Sequence, residues 1–228
     1  VKTTLPPLIL FDIDGTLLRR AGPHHRQALV DAVREITGLE TTTEGIPVHG
    51  MLDPDILTLM MRTAGWNDSR IAAVMPSVID AAQNVYEHSV PDLSDKTCPG
   101  AGELLAQLQH RGAILALVTG NLTRIGWRKL ERAGLRDYFR FGAFGEMAKT
   151  RGGLARLAIE RARNEGLIDG DSPISLVGDA AQDIQAAREN GIRAIAVRTG
   201  ITPLEDLQAA APDLLLEDLT RLDLELLH

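Results

Sequence analysis

The stretch Leu8-Ile9-Leu10-Phe11-Asp12-Ile13-Asp14-Gly15-Thr16-Leu17 begins as an unbroken apolar run and breaks off into two acids and a glycine. Such a run reads as a strand buried on both faces, as in a parallel sheet covered by helices on each side. In extended chain, residues two apart project to the same side, so Asp12 and Asp14 can face one ligand where the strand ends. Gly15 lets the chain turn away at once.

Similar apolar runs recur at residues 113–118, 174–177, 193–197 and 213–216, with a weaker, aromatic candidate at 139–144. Between them, residues 103–110, 124–133, 154–163 and 181–190 carry apolar side chains at three- and four-residue spacing, and Gly112, Gly134 and Gly191 stop three of these segments. Strands alternating with such helices predict an α/β fold with a parallel sheet, whose ligands bind at the carboxyl ends of the strands. One segment interrupts the alternation. Residues 19–96 contain no convincing strand, only helical patterns at 27–36, where Ala28, Leu29, Ala32, Val33 and Ile36 share a face, at 55–64, and at 76–88, expected to start at Pro76. The chain therefore divides into an α/β core of residues 1–18 and 97–228 and an inserted all-helical cap of residues 19–96, with Pro99-Gly100 marking the return.

Composition narrows the function classes. Lys plus Arg (24) are outnumbered by Asp plus Glu (31), the net charge is -7 and 4% of residues are aromatic, which argues against a nucleic-acid partner. The single Cys98 allows neither an intramolecular disulfide nor a cysteine-rich metal site, and a reducing cytoplasm is the default expectation. Neither a membrane span nor a signal peptide is expected.

Three strand ends carry chemistry. Asp12 is a candidate carboxylate nucleophile toward phosphorus. Asp14 would protonate the leaving oxygen and later deprotonate the water that breaks the acyl-phosphate. After the second long strand, Thr119-Gly120-Asn121 offers a hydroxyl and free backbone N–H groups to a phosphoryl oxygen. After residues 174–177 comes Gly178-Asp179-Ala180-Ala181-Gln182-Asp183, where a helix starting near Ala180 brings Asp179 and Asp183 together. Four acids around one phosphate call for a divalent cation, and oxygen ligands favour Mg²⁺, held by Asp12, Asp179 and a backbone carbonyl at Asp14, with Asp183 beside them. For the cation facing Asp12 and the phosphoryl group, counting back from the helix at residues 154–163 favours Lys149, with Arg151, two residues on, as the alternative and a substrate-binding candidate. In residues 19–96, Arg19, Arg20, His24, His25, His49, Asp53 and Arg62 could touch substrate but read mainly as a solvated face.

In order and spacing, Asp12 to Leu17, Thr119 to Asn121, Lys149 and Gly178 to Asp183 resemble the four motifs of the haloacid dehalogenase superfamily. The resemblance spans nearly the whole chain. It implies a Rossmann-like sheet, a mobile helical cap, Mg²⁺ and an aspartyl intermediate. Dehalogenases of the superfamily lack the second acid, so Asp14 implies phosphoryl transfer. The third motif departs from the Lys-Pro of phosphoglycolate-phosphatase-like proteins, reading Lys149-Thr150-Arg151-Gly152-Gly153. Gly50-Met51-Leu52-Asp53 resembles a cap element of the same proteins, although Asp53 would equally serve to cap the helix that follows it. The resemblance implies a phosphomonoester hydrolase acting on small organic phosphates, phosphoglycolate first. Its alternatives are a phosphomutase of the β-phosphoglucomutase kind and a non-catalytic phosphate-binding regulatory module.

Overall fold

In the computed structural model, which describes residues 6–19 and 21–222, the apolar runs form β1 (Leu8–Phe11), β2 (Ile114–Val118), β3 (Phe141–Ala143), β4 (Ile174–Gly178), β5 (Arg193–Val197) and β6 (Leu214–Leu216). They build one parallel sheet in the order β3-β2-β1-β4-β5-β6. From β1 the chain winds outward to β2 and β3, then crosses back to place β4 on the other side of β1. Ligand crevices open where the winding reverses in this way, and here the reversal falls at the ends of β1, β2 and β4.

Alternation along β1 decides which way each residue points. Ile9, Phe11 and Ile13 join one core with Leu104, Leu105 and Leu108 of α4 (Ala101–His110) and Leu130 of α5 (Thr123–Arg132). Leu8 and Leu10 join the other, with Leu154 and Ala158 of α6 (Arg151–Asn164), Ile184 of α7 (Ala181–Glu189) and Leu207 of α8 (Leu204–Ala209). Asp12 continues the second series and so turns toward the α6 side.

Residues between β1 and α4 form α1 (His24–Thr37), α2 (Asp53–Thr63) and α3 (Asp68–Ser89). Their shared core includes Leu29, Val33, Leu57, Met60, Met61 and Val78, and it takes in Leu122 and Ile125 at the start of α5. Arg124 fastens α3 to α5, donating to Asn84 Oδ1 at 2.8 Å, Asp80 Oδ1 at 2.8 Å and the Asp80 carbonyl at 3.0 Å. Where the chain leaves and re-enters the core, Leu18 bridges Thr97 antiparallel, the Arg19 N–H donates to the Lys96 carbonyl and the Cys98 N–H to the Leu17 carbonyl. No helix among the described residues is long and apolar enough to cross a membrane.

Three local expectations need correction. The helix expected to begin at Pro76 begins at Asp68, because Asn67 caps it by accepting the Arg70 N–H at 2.9 Å, and Pro76 lies inside α3. The helix expected from residue 154 starts at Arg151, because Thr150 Oγ1 accepts the Gly153 N–H at 3.0 Å. The short α8 was not foreseen. Pro76 is exposed, so its ring costs a helix hydrogen bond with no packing in return. Pro76→Ala is expected to stabilise the protein by about 1–3 kcal/mol, read as a raised midpoint in thermal or urea denaturation, and an unchanged or lowered midpoint would contradict this.

Candidate active site

The alternation that turns Asp12 toward α6 sets it against the first residue of that helix. Arg151 Nη1 donates to Asp12 Oδ1 at 2.7 Å, and it lies 3.3 Å from Asp183 Oδ1. Asp12, Asp179 and Asp183 each present a carboxylate oxygen within 4.8 Å of the other two, and all three residues are buried. Asp183 is held by its helix, Oδ2 accepting the Ala180 N–H at 3.1 Å at the start of α7. Gly15 and Gly200 pass so close to the Asp179 carboxylate that any side chain at either position would collide with it.

Burial, with Asp12 and Asp183 beside it, pushes the Asp179 carboxyl well above the usual carboxylate range, and burial also raises Asp183 against the pull of Arg151. Asp179 Oδ2 and Asp183 Oδ1 are buried without a hydrogen-bond partner. Three carboxylates against one guanidinium leave two negative charges uncompensated when all are ionised. Orphaned oxygens, an oxygen-only donor set and that charge fit a hard divalent cation.

Asp14 meets a different cation. Lys129 of α5, 1% exposed, donates from Nζ to Asp14 Oδ2 at 2.5 Å, Asn121 Oδ1 at 2.6 Å and His25 Nδ1 at 3.1 Å. These acceptors use all the protons of an ammonium. Because Nδ1 of His25 accepts from Lys129, the ring carries its proton on Nε2, which donates to Asp53 Oδ2 at 2.9 Å. Asp53 Oδ2 also accepts the Leu122 N–H at 2.8 Å, and the Asp53 N–H donates to the Gly120 carbonyl. Burial alone would raise Asp14, but the Lys129 ammonium, with the Asn121 amide, outweighs it and holds the carboxyl at about 2.

Thr119 is fully buried at the end of β2, where Asn121 Nδ2 donates to its Oγ1 at 2.8 Å, leaving the threonine O–H free to donate. The same Nδ2 donates to Asp14 Oδ2 at 2.8 Å. Asn121 was expected to bind substrate, but its amide is engaged within the protein, on Thr119, Asp14 and Lys129. Gly120 allows a close approach, since a Cβ there would strike the Met51 carbonyl. Asp53 does not cap its own helix; α2 starts at Asp53 with Leu52 at its N-cap, and the carboxylate serves the start of α5 instead.

Lys149 requires the main correction. It is exposed and does not line the cavity, whereas Arg151 is buried against Asp12, because α6 begins early enough to carry residue 151 on its inner face. Lys129 was not singled out, and His25 and Asp53, read mainly as part of a solvated face, turn out to be held within the site. The available signal was Lys129 itself, one turn after Ile125 on the apolar face of an amphipathic helix. His49 also joins the site, with Nε2 2.6 Å from Thr202 Oγ1 and 3.6 Å from Asp179 Oδ2. Arg20 lies outside the described residues.

The groups line one cavity of about 440 Å³ between the strand ends and the helical segment. The family model described as haloacid dehalogenase-like hydrolase matches residues 6–191. The chain belongs to this family. Among curated proteins, this haloacid dehalogenase-like hydrolase is 27% identical to "Probable phosphatase IndB" of Dickeya dadantii over 93% of the chain and 90% of that protein. It is 28% identical to a phosphoglycolate phosphatase of Agrobacterium fabrum over 96% of the chain and 91% of that protein. Among solved structures, a β-phosphoglucomutase of Clostridium difficile superposes with a TM-score of 0.70 at 16% identity, covering 98% of this chain and 95% of that one, which shows the fold.

The hydrolase's buried ammonium makes a prediction of its own. In a double-mutant cycle of Lys129→Met and Asp14→Asn, urea denaturation should show a coupling of about 1–3 kcal/mol between the two sites. Additive effects would mean that the pair does not interact.

Proposed function

We propose that the protein is a Mg²⁺-dependent phosphatase that hydrolyses small phosphomonoesters through an aspartyl-phosphate on Asp12. The observation that carries this reading is the division of acids between two cations: Asp12 sits with Asp179, Asp183 and Arg151, while Asp14 is set apart on Lys129. Asp12, Asp179 and Asp183 would hold the metal. When bound, Mg²⁺ supplies positive charge to neutralise the carboxylates and the phosphoryl oxygens.

Arg151 fixes the Asp12 carboxylate through Oδ1 and leaves the other oxygen to attack phosphorus. The Thr119 O–H and the backbone at Gly120 lie at the next strand end to receive a phosphoryl oxygen. Asp14 is held ionised by Lys129 and Asn121 on Oδ2, so its other oxygen faces the departing group. An incoming phosphate dianion opposes the pull of Lys129 and raises the proton affinity of Asp14, which then protonates the leaving oxygen and takes the proton back from the attacking water.

Residues 1–18 and 97–228 act as the core and residues 19–96 as the cap, hinged where Leu18 pairs with Thr97. Closure excludes bulk water from the cavity. Phosphoglycolate is the substrate to which the names of several relatives point.

Asp12→Asn should preserve the fold and reduce turnover of p-nitrophenyl phosphate by roughly 10⁴-fold or more. Near-normal turnover in that variant would exclude the covalent route. Arg151→Ala should cost roughly 10²–10³-fold and Lys149→Ala no more than about twofold, and the reverse order would return the phosphate-facing role to Lys149. Chelation should abolish activity and Mg²⁺ restore it. Isomerised sugar phosphate in place of inorganic phosphate would indicate a mutase.

A further inference from the structure

The wall of the cavity facing the carboxylates differs from its floor. Leu29 of α1, Val48 and Met51 of the following loop, Ile56 of α2 and Tyr86 of α3 supply it. The polar groups that reach this wall from within are already engaged. Lys129 spends its protons on Asp14, Asn121 and His25, the His25 ring is fixed between Lys129 and Asp53, and His49 is bound to Thr202. Arg26 also lines the cavity, but it is exposed at the rim, where water competes for its charge. Tyr86 is 1% exposed, its ring meets that of His25 edge-on at 5.8 Å, and its hydroxyl has no hydrogen-bond partner among the described residues.

We propose that this outer part of the cavity binds the uncharged, largely apolar organic portion of an aryl or branched-alkyl phosphomonoester, with the Tyr86 hydroxyl as its directional contact. The inference rests on the phosphatase reading and specifies its substrate class, in place of the phosphoglycolate to which relatives' names point. At roughly 30 Å³ per water, the 440 Å³ cavity holds about fifteen waters. A two-carbon acid would displace few of them, and among the described lining residues its carboxylate would find an unengaged cation at Arg26 on the exposed rim, where water weakens the attraction, which disfavours it. An apolar group would displace the water from Leu29, Met51 and Ile56 and bind through the area it covers.

Calorimetric titration of the Mg²⁺-loaded wild-type protein with non-hydrolysable phosphonates tests this without turnover. Benzylphosphonate is expected to bind at least about tenfold more tightly than phosphonoacetate. Equal or tighter binding of phosphonoacetate would overturn the proposal, and its loss in Arg26→Ala would place an anion subsite at the rim. Failure of benzylphosphonate to bind would overturn it as well. The wild-type protein should also favour 4-hydroxybenzylphosphonate over benzylphosphonate severalfold, and the isosteric Tyr86→Phe should erase that preference; a ratio unchanged by the substitution removes Tyr86 from the contact. Turnover of p-nitrophenyl phosphate, measured separately, decides the phosphatase reading: a protein that prefers benzylphosphonate yet hydrolyses nothing retains the subsite and loses the chemistry.

Discussion

Carboxylates gathered at one end of a buried sheet repel one another, and water cannot screen them there. Asp12, Asp179 and Asp183 stand in that position, within 4.8 Å of each other at their nearest oxygens, and the surrounding structure is arranged to make their proximity tolerable. Arg151 is placed among them by the first turn of α6, Asp183 is tied to the start of α7, and glycines at positions 15 and 200 let the backbone pass beside Asp179. The compensation is incomplete, and two orphaned oxygens remain where a divalent cation would be received.

A second compensation isolates Asp14. Lys129 accounts for that acid from the opposite face of the sheet and extends the connection through His25 and Asp53 to the cap helices α1 and α2. Asp14 is therefore linked to the helical segment that lines the far side of the cavity. His25 thus joins the environment of Asp14 to the helices that line the far side of the cavity through one ammonium.

The sheet was legible because each strand is a short apolar run that needs both faces covered; β1, β4 and β5 lie within a residue of the expected bounds. The strand-end acids and Thr119 were legible for the same reason, since a polar residue directly after a buried strand has few other uses. Legibility failed where a side chain's direction depends on where a helix begins. Counting back from Leu154 favoured Lys149, but Thr150 caps α6 and turns Arg151, not Lys149, inward. Lys129 resembled an ordinary charge on an amphipathic helix until the fold placed Asp14 and Asn121 around it. Pro76 was read as a helix start although Asn67-Asp68 supplies a stronger one. The contacts of His25, Asp53 and Tyr86 arise between cap and core, and no local pattern in residues 19–96 encodes them.

The central claim is that the phosphoryl group passes through the Asp12 carboxylate. Borohydride added to the enzyme during turnover reduces an acyl-phosphate to the alcohol, and peptide mass spectrometry then locates the modified residue. The account predicts homoserine at position 12, dependent on substrate and Mg²⁺. Reduction at another carboxylate, or none while phosphate is being released, would contradict it.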